Sequence, residues 1–165
     1  MKKVIRYGIV GIGNMGTNHA NLFLQNKVDN ACLSSICDTN ISFSKNFSDI
    51  SFYTNTSDFF NNKKIDVAII ATPHGSHINL GMQALEKNIN VIIEKPLAVT
   101  TKQCREFIKF SKKYDAKFGI MLNQRTNPAF IKLKQMINNG ELGKIHRYQW
   151  TITDWFRTDY YYNIS

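Results

Sequence analysis

The sequence predicts an α/β domain on a doubly wound parallel sheet, followed by the truncated beginning of an α+β domain. Three observations carry that expectation. Apolar runs at residues 4–10, 32–37, 67–71 and 91–93 recur through the first two thirds of the chain, and the last two show no polar alternation, as in strands covered on both faces. Stretches with a one-sided apolar stripe lie between the runs, and strand–helix alternation of this kind builds a parallel sheet. Past about residue 125 the pattern changes, and a period-two segment appears that belongs to an antiparallel sheet.

Each element has its own justification. Residues 4–10 form the first strand, and a glycine turn leads into a helical stretch reaching about Gln25. Residues 32–37 are the second strand. A polar stretch rich in asparagine and serine comes next, with a weak strand at 51–54 and a short helix near 57–62. Between the strands at 67–71 and 91–93, Ser76 is placed to cap a helix with Ile78, Met82 and Leu85 on one side. Thr100 or Thr101 starts another, with Cys104, Phe107, Ile108 and Ser111 on its inner stripe, and 117–121 reads as a further strand. Asn127 and Pro128 open a helix with Phe130, Leu133 and Ile137 facing inward, ended by Gly140. In IHRYQWTIT, Tyr148, Trp150 and Ile152 alternate with Arg147, Gln149, Thr151 and Thr153, the mark of a strand with one wet face. These readings set domains at 1–122 and 123–165.

Composition narrows the class. Hydrophobic residues make up 43% and charged residues 20% of the 165, which is ordinary globular usage. No apolar run approaches a membrane span, and the short, glycine-broken apolar part of MKKVIRYGIVGIGNMG reads as a first strand and not as a signal peptide. Cys32, Cys37 and Cys104 lack metal-ligand spacing, so no metal site is expected and a reduced, cytoplasmic chain is. The net charge of +9 raises a nucleic-acid partner. The lysines, however, fall in scattered pairs without interleaved aromatics, so the reading is a solvated basic surface that favours small anions, with no nucleic acid and no membrane.

The turn holds Gly11, Gly13 and Gly16 in G-x-G-x-x-G spacing, after a strand and opening a helix, the context in which the motif has meaning. Gly11 permits the tight turn, Gly13 admits a pyrophosphate to the backbone with Asn14 and Met15 beside it, and Gly16 packs helix on strand. The free amides at the helix start face the anion. Asp38 ends the second strand, where a carboxylate accepts hydrogen bonds from an adenosine ribose and repels a 2′-phosphate; this favours NAD over NADP. The plainer alternative is that Asp38 only caps the next helix.

Ligands of open parallel sheets sit beyond the carboxyl ends of the strands. Two such ends here are polar: Thr72, Pro73, His74 and His77 after one strand, and Glu94, Lys95 and Pro96 after the next. With GIGNMG, ICD, ATPHGSH and above all EKPLA assembled, the chain resembles the Gfo/Idh/MocA family of NAD(P)-dependent oxidoreductases. NQRTNPAF, GELGKI and DWFRTDYYY resemble the start of that family's second domain. His74 departs from the asparagine common in the family at that position.

The resemblance implies a Rossmann-type cofactor domain and a dehydrogenase acting on a sugar, a polyol such as a cyclitol, or a related acid. Independently, the amphipathic strand at 145–153, with an unpaired edge and an apolar face, invites pairing with another copy, so a homo-oligomer is expected. The resemblance also implies that Lys95 reaches the reacting hydroxyl or carbonyl, stabilising alkoxide charge or moving a proton. Glu94 would lie near the nicotinamide ribose, Pro96 would keep the Lys95 backbone extended, and His77 would border the pocket. The residues alone also allow Glu94 and Lys95 to pair with each other, and His77 to be an ordinary helix residue. The family's proton-transfer aspartate and histidine would fall beyond Ser165; His146, in the strand, is not taken for that histidine. Trp155, Arg157, Tyr160 and Tyr161 would belong to a segment near the substrate. Two functions therefore stand side by side, an oxidoreductase represented by its cofactor part and a NAD-binding or assembly module without turnover.

Overall fold

The computed structural model of the chain describes residues 3–62, 64–153, 156, 158 and 159. Two compact units divide at Met121: Met1–Met121 and Leu122–Ser165. In the first, strands β1 (Ile5–Val10), β2 (Ala31–Cys37), β3 (Ser51–Tyr53), β4 (Val67–Ile70), β5 (Asn90–Glu94) and β6 (Phe118–Met121) alternate with helices α1 (Asn14–Leu24), α2 (Thr56–Asn61), α3 (His77–Glu86) and α4 (Thr101–Ser111). The strands form one sheet in the order β3-β2-β1-β4-β5-β6, and every neighbouring pair is parallel. The chain winds outward from β1 to β3, returns to β4, and winds the other way to β6. Its direction reverses between β1 and β4, so the helices crossing from either side leave a crevice at the carboxyl ends of those two strands.

Side-chain alternation in the strands makes two cores. Val10, Ala68, Ile70, Val91 and Ile93 pack against Phe59, Leu80, Ala84, Leu85 and Phe107 on one face. On the other, Ile9, Ile36 and Ile69 pack against Ala20 and Phe23 of α1 and against Phe47. Leu33 shares that face with Ile36, although the two lie three positions apart, an odd offset. The register explains this: Tyr7 pairs with Leu33 and Gly8 with Ser35, so Ser34 is an extra residue that resets the alternation.

Several helix details differ from the periodicity reading. The buried stripe of α3 is His77, Leu80, Gly81, Ala84 and Leu85, with Ile78 and Met82 only partly buried against the same core. The Ser76 side chain does not cap α3; its hydroxyl is taken by Pro73 O at 2.8 Å and the Thr72 hydroxyl at 2.7 Å. In α4, Thr100 and Gln103 form a capping box. Phe107 is the buried side chain of that helix, Cys104 and Phe110 pack at the edge of the core, and Ile108 is exposed.

In the second unit Asn127 caps α5 (Pro128–Asn138) by accepting the Ala129 amide, and Gly140 leaves the helix at φ +73°. The expected strand at 145–153 is not formed. Pleated backbone is stable only when its amides and carbonyls find a partner ladder, and none of the strands among the described residues lies in this unit. Tyr148, Trp150 and Ile152 are accordingly all exposed, with Trp150 against Phe130 at a ring separation of 5.1 Å. Leu133 and Ile137, expected to face inward, are exposed as well, because no described layer covers that side of α5.

Candidate functional site

At the carboxyl edge of the sheet, the Gly11 amide donates to Cys37 O at 2.8 Å, tying the β1 turn to the end of β2. A Cβ on Gly16 would stand 1.8 Å from Gly11 O, so close packing of helix on turn excludes any side chain there. Gly13 is different: a Cβ built on it meets nothing within 4 Å. The protein itself makes no demand for glycine at this position, and the open space borders the crevice. Gly13 is also the N-cap of α1, no side chain caps that helix, and no acidic residue stands in its first turn. The leading amides are thus available to an anion, which the helix dipole favours.

Asp38 faces the turn from the end of β2. Its Oδ2 accepts the Ile12 amide at 2.7 Å, and its Oδ1 accepts the Asn40 amide at 2.8 Å. Each carboxylate oxygen accepts more than one hydrogen bond, so Asp38 shapes the turn and retains capacity for two hydroxyls. A cleft of about 820 Å³ opens here, within the range of small-molecule sites. Of the expected residues it is lined by Gly11, Gly13, Asn14, Met15, Asp38, Thr72 and Pro73. Thr39, Phe43, Thr54, Asn55, Thr56, Ser76 and Leu80 also line it and were not named as site residues from sequence. The signal for Thr54 to Thr56 was present, because they come directly after β3 at the same sheet edge. These residues fit a dinucleotide: an uncapped helix start for the diphosphate, a carboxylate for a ribose, and an apolar cleft wall.

The other expected residues lie elsewhere. Gly16 is packed behind the turn. His74 is exposed, in a short 3₁₀ turn His74–Ser76, with its ring edge-on to that of His77 at 5.5 Å. His77 is fully buried, with Nδ1 2.8 Å from Pro96 O and Nε2 2.8 Å from Thr72 O. Glu94 is 6% exposed. Its Oε1 accepts from His19 Nε2 at 2.7 Å, and its Oε2 accepts the Lys95 amide at 3.2 Å. That carboxylate is therefore turned into the protein, and no side-chain pair between Glu94 and Lys95 is among the ion pairs of the described residues. Lys95 and Pro96 are exposed, and the peptide between them is cis, so the extended backbone expected before Pro96 is joined through a cis bond.

His19 was missed by sequence reasoning. It lies on the buried stripe Gly16, His19, Ala20 and Phe23 of α1, where a polar residue needs a partner. Burial pushes the Cys37 thiol up to about 12, with the Asp38 charge adding to the shift. No group of three potential metal ligands occurs among the described residues, and no described helix is long and apolar enough to cross a membrane. Trp155, Arg157, Tyr160 and Tyr161 lie outside the described residues.

Residues 5–121 match the family model of the Gfo/Idh/MocA oxidoreductases, described as an oxidoreductase family with an NAD-binding Rossmann fold. The chain belongs to this family. Among its Gfo/Idh/MocA relatives is the inositol 2-dehydrogenase of Salmonella typhimurium, 30% identical over 146 residues, which are 85% of this chain and 43% of that enzyme. An inositol 2-dehydrogenase/D-chiro-inositol 3-dehydrogenase of Lactiplantibacillus plantarum is 30% identical over 149 residues, covering 86% and 42%. The crystal structure of myo-inositol 2-dehydrogenase from Lactobacillus plantarum superposes with a TM-score of 0.79 at 27% identity over 87% of this chain and 43% of that one. Scyllo-inositol dehydrogenase from Lactobacillus casei, solved with NAD(H) and scyllo-inositol, shares the fold with a TM-score of 0.81 at 24% identity, covering 87% and 43%. The chain thus spans under half the length of these relatives.

Proposed function

We propose that this chain is the dinucleotide-binding part of an NAD-dependent dehydrogenase acting on inositols, related polyols, sugars or their acids. The observation that carries the reading is the pairing of Gly13, open to the cleft, with Asp38, poised for a ribose beside it. The carboxylate supports NAD over NADP, because a 2′-phosphate there would meet a like charge. A bound nicotinamide supplies the hydride acceptor.

The chain's own groups divide the remaining work. The first-turn amides of α1 hold the diphosphate, and Asp38 orients the adenosine ribose. Lys95 stands exposed at the end of β5, where it serves the reacting carbon's oxygen in one of two ways: as the ammonium it stabilises alkoxide charge, or as the free amine it takes the hydroxyl proton. Substrate placement and the rest of the proton route fall to residues outside the first unit. Losing acid–base help alone costs on the order of 10²–10⁴ in rate. The 165-residue chain therefore binds NAD(H) without turning over polyols, and it associates with itself through the exposed Tyr148, Trp150 and Ile152.

Titration calorimetry with NADH and NADPH, then NAD-reduction assays on an inositol and sugar panel, tests this. Binding of NADH in preference to NADPH with no turnover is expected. No heat with either nucleotide from a folded sample refutes the cofactor assignment, and robust NAD reduction refutes the division of labour. Light scattering is expected to report a dimer or larger; a monomer at high concentration refutes the association.

A further inference from the structure

The lysine at the end of β5 is gripped on both sides by histidines from different helices. From α1, His19 Nε2 donates to Glu94 Oε1 at 2.7 Å, and Glu94 Oε2 accepts the Lys95 amide at 3.2 Å. From α3, His77 stands 2.8 Å from the carbonyl oxygen of Pro96 and 2.8 Å from that of Thr72. All three gripping side chains are buried, His19 at 9%, Glu94 at 6% and His77 at 0% exposure. A buried carboxylate is costly unless it is hydrogen-bonded, and an ordinary strand end has no use for one. Here the carboxylate spends both oxygens on a link from helix α1 to the backbone of Lys95.

We propose that His19, Glu94 and His77 are positioning residues that fix the backbone of Lys95 between the helix that starts at the glycine turn and the loop that ends β4. The inference rests on the role of Lys95 proposed above. The physical reason lies in the lysine itself: its four-carbon stem is flexible and its side chain exposed, so only the backbone can set where the ammonium reaches. A displacement of about 1 Å at a reacting group can cost ~10²-fold in rate. The buried His77 ring stands within hydrogen-bond distance of both carbonyl oxygens, so it bridges the Thr72 and Pro96 loops.

Nuclear magnetic resonance of the 165-residue chain without cofactor reads the link directly. In His19→Leu the Lys95 amide is expected to shift and to exchange at least about tenfold faster, with the β1 and β4 amides unchanged. His19→Gln, which retains an N–H donor, is expected to restore protection, a rescue that mere filling of space would not give. Glu94→Leu keeps a similar volume and removes both acceptor oxygens, so it is expected to expose the Lys95 amide in the same way. It decides the matter if His19→Leu does not fold. Unchanged Lys95 exchange in the folded variants overturns the proposal. With NADH added, cross-relaxation between the Lys95 side chain and the nicotinamide ring is expected in the parent and absent in His19→Leu. If the parent binds NADH and lacks that contact, the role given to Lys95 fails, while the cofactor-free measurement still decides whether its backbone is held.

Discussion

Replacing Gly13 by valine separates what the ligand requires from what the fold requires. Gly13 has φ −73° and ψ −163°, a region open to any residue, and an added Cβ meets nothing within 4 Å. Valine is therefore expected to leave folding stability within about 0.5 kcal/mol, as for a surface change. The side chain would instead fill the space through which a diphosphate reaches the α1 amides. Charge-assisted hydrogen bonds contribute roughly 1.5–3 kcal/mol each. Losing two of them weakens binding by about 3–6 kcal/mol, or ~10²–10⁴ in Kd. Gly16→Ala is the control with the opposite signature, since its Cβ would stand 1.8 Å from Gly11 O and must displace backbone. That variant is expected to lose at least ~1–3 kcal/mol of stability. Thermal unfolding paired with calorimetric NADH titration distinguishes the two. A Gly13→Val protein that binds NADH like the parent would refute the placement of the diphosphate at this turn.

Asp38→Ser removes the acceptors of the Ile12 and Asn40 amides and the charge facing a 2′-phosphate; NADH is expected to bind more weakly and NADPH less disfavoured, and an unchanged preference would reduce Asp38 to a support of the turn. The Arg6 guanidinium beside Asp66 holds that carboxyl at about 2, below its ordinary 3.8. A depressed carboxyl adds stability above about pH 4 that is lost as pH falls towards 2, so the urea midpoints of the parent and Arg6→Ala should differ at pH 6 and converge near pH 2. Cys32 is exposed while Cys37 is buried with its thiol pushed up to about 12; iodoacetamide at pH 8 is expected to label Cys32 in the folded chain and to reach Cys37 only on unfolding, as read by peptide mass.

The local terms were legible in the order of residues. Continuous apolar runs located the central strands, because a strand buried on both faces cannot carry polar alternation. The glycine spacing and Asp38 located the turn between β1 and α1, because φ +90° at Gly11 and the close contact at Gly16 each exclude a side chain for a local reason, while Gly13 stays open to the cleft. Residues 145–153 show where such reading ends: alternation marks a segment able to form a strand, and only a neighbouring ladder makes it one.

Tertiary structure decided the partners. Sequence alone did not say which partner Glu94 takes within the protein, and the fold pairs its carboxylate with His19 and the Lys95 amide instead of the Lys95 ammonium. It brings His19, 75 residues distant, to 2.7 Å from the carboxylate. Likewise His77, 19 residues from Pro96, is placed within 2.8 Å of its carbonyl. Contacts between elements remote in sequence depend on the strand order and on which helix covers which face. Those are properties of the assembled sheet, and no residue spacing within a single segment encodes them.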